Sequence, residues 1–169
     1  DFSTFLLVFC RLFPLFTVPV IFFWMYTSKF SLQEAFTGAG IYAVFLPALL
    51  RTRGESFYRE TVALPLITLT FALTDMGIRS NRKDKLKYSI ASAFALFFAL
   101  ASWKVSGFIS FFLFAWLAFR RPGIRTVLPV VISQIAASVL LTHMRHDGAV
   151  LSPASIMALF ALISSYFKY

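Results

Sequence analysis

Seven acidic side chains, two histidines and one cysteine are all that this 169-residue chain offers for acid, base, imidazole or thiolate chemistry. Aspartyl hydrolysis needs two carboxylates that share a proton, one acting as base toward water and the other as acid toward the scissile carbonyl. Asp75 and Asp147 are the candidates. His143 and His146 form an H-x-x-H pair beside Asp147, and at i and i+3 of a helix two imidazoles can share a face and hold a metal. The glutamate of the H-E-x-x-H protease pattern is absent, so solvated histidines at a span end are the simpler expectation and no metal is assigned. With Arg145 between them, the same histidines are also candidates for a lipid-linked sugar or acyl transferase. Cys10 stands alone, which excludes an intramolecular disulfide and a thiolate cluster. Neither a P-loop nor a G-x-G-x-x-G occurs, and no cofactor is expected.

The elements that carry these residues are apolar runs about as long as a bilayer is thick. A hydrocarbon core of about 30 Å takes roughly 17 to 25 apolar residues per helical crossing. Only 14% of the residues are charged, against roughly 25% in a typical soluble domain. The expected fold is therefore all-α, a polytopic integral membrane bundle of six or seven transmembrane helices forming a single transmembrane domain over residues 1–169. The spans read as Phe2 to Tyr26, Leu32 to Leu50, Thr61 to Ile78, Tyr88 to Trp103, Val105 to Phe119, Ile124 to Thr142 and Ala149 to Phe167. Between Tyr88 and Phe119 only Lys104, Ser106 and Gly107 interrupt the run, and two short helices in a hairpin are favoured over one span with an interfacial helix. The first run has no basic leader and no small-residue cleavage site, so no cleavable signal is expected.

The net charge of +9 would suggest nucleic acid in a soluble protein. Here the basic residues lie between apolar runs, where they set orientation, and no nucleic acid is expected. On seven spans, one side carries ten: Lys29, Arg79, Arg82, Lys83, Lys85, Lys87, Arg120, Arg121, Arg125 and Lys168. The other carries five: Arg51, Arg53, Arg59, Lys104 and Arg145. The richer side is expected in the cytoplasm, with the N-terminus outside and the C-terminus inside, in a bacterial inner membrane. Arg79, Arg82, Lys83, Lys85 and Lys87 form a candidate contact for anionic lipid headgroups or a partner subunit. Arg11 lies a third of the way into the first span and is expected to snorkel, to form a structural ion pair or to line a substrate path. On this topology it sits at the opposite end from Asp75, so the two do not pair.

Proline occurs within or beside spans at positions 14, 19, 47, 65, 129 and 153, where it removes a backbone donor and kinks a helix. Gly38 and Gly40, with Ala35 and Ala43, give the second span a small-residue face for close packing. Ser133 and Ser138, near Gln134, have no base in reach and read as hydrogen-bonding groups between helices. Trp24, Tyr26, Trp103 and Tyr166 fall near span ends, as an interfacial belt would place them.

The run Asp75-Met76-Gly77-Ile78-Arg79-Ser80-Asn81 loosely resembles the first aspartate motif of the prepilin peptidases, which are intramembrane aspartyl proteases. The resemblance implies a second aspartate, for which Asp147 is the candidate. The family's proline before Asn81 is Ser80 here, and its Gly-x-Gly-Asp is replaced by Met144-Arg145-His146-Asp147. A second resemblance, over the first 50 residues, is to the export-gate proteins of flagellar and type III secretion, through Arg11, Leu15-Phe16, Pro19 and Leu46-Pro47. Val62 to Pro65, Asp75 and Arg82 are similar to a later helix of that family, whose intervening helices have no counterpart. Convergent polar groups at one membrane face are sparse, whereas a membrane enzyme usually shows them. The expected function is a transport or export component that works with other membrane subunits or with itself. The alternative is a membrane enzyme, either an aspartyl protease or a lipid-linked transferase, and a purely structural assembly factor is a third possibility.

Overall fold

The computed structural model describes residues 13–50, 57–141 and 152–167, with side chains left out for Pro14, 45–50, 57–60 and Arg82. Among the described residues it is all-helical, with seven α-helices and no strand. A 3₁₀ turn over Phe13–Phe16 leads into α1 (Thr17–Thr27), followed by α2 (Leu32–Leu50), α3 (Phe57–Arg79), α4 (Arg82–Ser102), α5 (Ser106–Arg120), α6 (Ile124–Leu140) and α7 (Pro153–Tyr166). Asp147, His143, His146, Arg145 and Arg11 lie outside the described residues.

The helices extend beyond the apolar runs at the most polar stretch. Arg79 to Lys87 reads as a connection, yet only Ser80 and Asn81 separate α3 from α4, and the basic residues fill the first turns of α4. Lysine and arginine are good helix formers. Asp84 sits in the first turn, where the helix dipole favours a negative charge, and Lys87 Nζ reaches its carboxylate at 3.3 Å. Apolarity marks where a hydrocarbon layer would begin, not where a helix begins. At the start of α2, Ser31 and Glu34 form a reciprocal cap: the Ser31 N–H donates to Glu34 Oε2 at 2.7 Å and the Glu34 N–H to Ser31 Oγ at 3.3 Å.

Packing runs from α2 to α1, α3, α4, α6, α7 and α5, with lighter contacts from α5 back to α3 and α4 closing the bundle. The run from Tyr88 to Phe119 does divide into two helices, but not into a hairpin of two short ones: α4 has 21 residues, only α5 is short at 15, and α5 packs mainly on α7. The core joins Leu96 and Leu100 of α4, Leu113, Phe114 and Leu117 of α5, and Val127, Val130 and Val131 of α6. Hydroxyls stitch the helices together. Ser92 donates to the Thr70 carbonyl at 3.0 Å, so Thr74 is the donor in the 2.7 Å contact between Thr74 and Ser92. Ser133 donates to the Ala93 carbonyl at 2.6 Å, and Ser138 lies 3.3 Å from Ser155, which matches the bridging role read for these serines.

The outward faces are apolar too, and hydroxyls lie inside beside the apolar core. On α4, Leu86, Ile90, Phe94 and Phe98 recur every fourth residue and face outward, while Ser89 and Ser92 are buried. On α6, Leu128, Ile132, Ile135 and Val139 point out, while Thr126, Ser133, Gln134 and Ser138 are buried. On α7, Ile156, Leu159, Phe160 and Ile163 point out, and the buried side is Ala154, Ser155, Ala158, Ala161 and Ser165. Among the described residues two stretches, Thr61–Arg79 and Lys83–Ser102, are long and apolar enough to cross a membrane. At 15, 17 and 14 residues, α5, α6 and α7 are shorter.

Pro65 and Pro129 both lie inside continuous helices, α3 and α6. Gly38 is a point of close approach: a methyl group there would collide with the Met25 thioether of α1, whereas Gly40 faces open space.

Candidate functional site

Three helices bring their ends together around a cleft of about 500 Å³, and each supplies a pair four residues apart, so that both members lie on one face. These pairs are Trp24 and Ser28 of α1 and its cap, Asp75 and Arg79 of α3, and Trp116 and Arg120 of α5. The connections after α1, α3 and α5 therefore meet at one end of the bundle.

Asp75 is the only described acidic residue that is buried, at 3% exposure. Its Oδ2 accepts from Trp24 Nε1 at 3.0 Å and from Ser28 Oγ at 3.1 Å, and lies 2.7 Å from Arg79 Nη2. A buried carboxylate is costly unless it is paired and hydrogen-bonded, and these three donors supply both. Arg79 comes from the last turn of the same helix, where a cation also meets the favourable end of the dipole. The floor is aromatic: Phe71 lies between two indoles, 6.4 Å from the ring of Trp24 and 6.4 Å from that of Trp116.

The end of α1 is shaped to place this wall. Lys29 adopts a left-handed conformation (φ 67°), its N–H bonds the Tyr26 carbonyl at 3.1 Å, and the Phe30 N–H bonds the Met25 carbonyl at 3.2 Å. This is a Schellman closure, in which glycine is usual and any other residue adds roughly 1 to 2 kcal/mol of strain. It turns the chain so that Met25 and Phe30 both line the cleft. Arg121, at the end of α5, is the second such residue (φ 44°), and its N–H closes on the Leu117 carbonyl. Arg120 lines the first cleft, while Arg121 lines another of about 490 Å³ on the α7 side, with Phe119, Phe160 and Ser164.

Among the described residues the ion pairs are Arg79 with Asp75 and Lys87 with Asp84. Arg120 thus has no carboxylate partner there. The Lys87 pair is exposed on both sides and contributes little. Of the basic cluster, Arg79 belongs to the cleft, Lys83, Lys85 and Lys87 to the first turns of α4, and the side chain of Arg82 lies outside the described residues. Among the described residues no three His, Cys, Asp or Glu side chains are grouped as metal ligands would be. Trp24, Ser28, Trp116 and Arg120 were not read as site residues from the sequence. Their i, i+4 pairing at the same end of alternate helices is the signal that could have found them.

Among the described residues, the arrangement can neutralise a carboxylate, present one uncommitted guanidinium and offer an aromatic floor. It does not bring a second described carboxylate to Asp75, so the shared-proton geometry of an aspartyl protease is absent from what is described. Comparison with known proteins adds no relative: no family matches the chain, and neither a curated protein nor a solved structure is significantly similar to it.

Proposed function

We propose that this chain is a multi-pass helical membrane protein that works as a transport or export component alongside other subunits, without chemistry of its own. The apolar outward faces of α4, α6 and α7 carry the membrane part of this reading. In water, stripes such as Leu86, Ile90, Phe94 and Phe98 would form an apolar patch that monomeric soluble proteins rarely tolerate. In lipid they are the solvated face, and small or hydroxylated residues inside are what membrane helices use to pack. The short helices α5, α6 and α7 then require tilt of their neighbours, local thinning of the bilayer, or association with further subunits.

The partner part of the reading rests on α2. It packs on α1 at the margin of the bundle, and Phe36, Gly40, Ile41 and Val44 are exposed on it. The basic end, where Arg79 and Arg120 meet, faces the cytoplasm of a bacterial inner membrane in this proposal. An enzyme would instead need Asp75 released from its donors and joined by Asp147, or a centre built on His143 and His146.

Mild-detergent purification followed by native mass spectrometry tests the reading. Stable partner subunits that leave with a helix α2 carrying Val44→Arg would support it. A lone species recovered without detergent would overturn the membrane assignment. Loss of an activity in Asp75→Asn and Asp147→Asn, with normal insertion, would favour the enzyme.

A further inference from the structure

We propose that the cleft between α1, α3 and α5 holds the headgroup of an anionic membrane lipid, with the Arg120 guanidinium on its phosphate and the Trp24, Phe71 and Trp116 floor under its upper acyl chain. This rests on the membrane reading above and adds a ligand to it. Four observations meet in the cleft. Its one described carboxylate, Asp75, is already matched by Arg79 at 2.7 Å, so among the described residues the charge left over is the positive charge of Arg120. A guanidinium fits a phosphate with two parallel hydrogen bonds. The floor is a row of three aromatic rings, which an inorganic anion would leave uncovered and an acyl chain would fill. The volume of about 500 Å³ lies in the range of sites for small molecules.

The surroundings fit an amphiphile that enters from the side. Phe30, which lines the cleft, is exposed, so the rim continues into the apolar outer face. The neighbouring cleft on the α7 side has a basic residue, Arg121, but neither indole, and serves as an internal control.

The chain has three tryptophans, and two of them, Trp24 and Trp116, line the cleft. In a Trp103→Phe background, fluorescence therefore reports on the site. The protein is reconstituted in phosphatidylcholine nanodiscs with increasing brominated phosphatidylglycerol, or with brominated phosphatidylcholine as the comparison. Phosphatidylglycerol should quench at about fivefold lower mole fraction, the effect of one basic group near an anionic lipid. Arg120→Gln should erase that preference, Arg120→Lys should keep part of it, and Arg121→Gln should leave it intact. Far-UV circular dichroism checks that each variant is folded. Equal quenching by the two lipids, or a preference that survives Arg120→Gln, overturns the proposal. So does full relief of quenching by millimolar inorganic phosphate, which would assign the site to a soluble anion. Failure of the chain to float with vesicles after an alkaline wash would instead overturn the membrane reading itself.

Discussion

Removing the indole N–H that reaches Asp75 should loosen the junction of α1 with α3 by a calculable amount. Trp24 and Ser28 both donate to the Asp75 carboxylate from α1, and α1 in turn carries α2. Hydrogen bonds between membrane helices average about 0.6 kcal/mol in double-mutant cycles, and an ionised acceptor roughly doubles a bond's strength. The Trp24 to Asp75 coupling is therefore expected at about 1.2 kcal/mol. Trp24→Phe keeps a ring beside Phe71, and Asp75→Val removes both the acceptor and the charge. The Arg79 side chain is 42% exposed, so the ion pair lost in Asp75→Val adds at most about 1 kcal/mol to that single variant and cancels in the cycle. The assay is reversible denaturant-induced unfolding in mixed micelles, followed by far-UV circular dichroism for wild type, both single variants and the double. A coupling below about 0.3 kcal/mol would refute the reasoning, since the bond would then contribute less than a neutral one between membrane helices.

Phe94→Lys, halfway along the outward stripe of α4, should cost about 2.5 to 3.5 kcal/mol of insertion free energy and reduce the inserted fraction measured by alkaline extraction; unchanged insertion would argue against a lipid-facing stripe. Ser133→Ala removes the 2.6 Å bond to the Ala93 carbonyl and should lower stability by about 0.6 to 1.7 kcal/mol in the same unfolding assay. Gly40→Ala should be silent in the isolated chain, and Gly38→Ala should cost less than about 1 kcal/mol in the same unfolding assay, because the Met25 thioether that abuts Gly38 is the flexible end of its side chain and can swing aside. Replacing Lys83, Lys85 and Lys87 together with Gln should raise the fraction of inverted molecules, read by labelling cysteines placed in the α3–α4 turn of a Cys10→Ser background, and leave the Asp75 cluster intact.

Much of the helical order was legible because apolar runs and helices coincide where a run is bounded by glycine, proline or a tight turn. The start of α2 matched at Leu32, and α6 began at Ile124 just after Pro122-Gly123. They diverged at Arg82, because charged residues with good helix propensity continue a helix that apolarity alone would end at Tyr88. Asp75 stood out in the sequence as an ionisable group within an apolar run, but its partners did not. Arg79 was grouped with the lysines of the basic stretch, and Trp24 with an interfacial belt, since hydropathy ranks residues by depth and carries no information about rotation around a helix axis. The same limit hid Arg120, whose neighbour Arg121 looks identical in sequence yet lines a different cleft.

The marginal place of α2 has a mechanical consequence. Because α1 is its main support, the two helices form a hairpin whose attachment to the rest of the bundle runs through the contact of α1 with α3. Such a hairpin can open at a lower free energy than the core it leaves, and amide exchange in α2 should then follow the state of a single carboxylate rather than the stability of the whole molecule. Asp75 would in that sense be a clasp, and anything that draws Arg79 or the Trp24 indole away from it would free a helical arm to reach a neighbour.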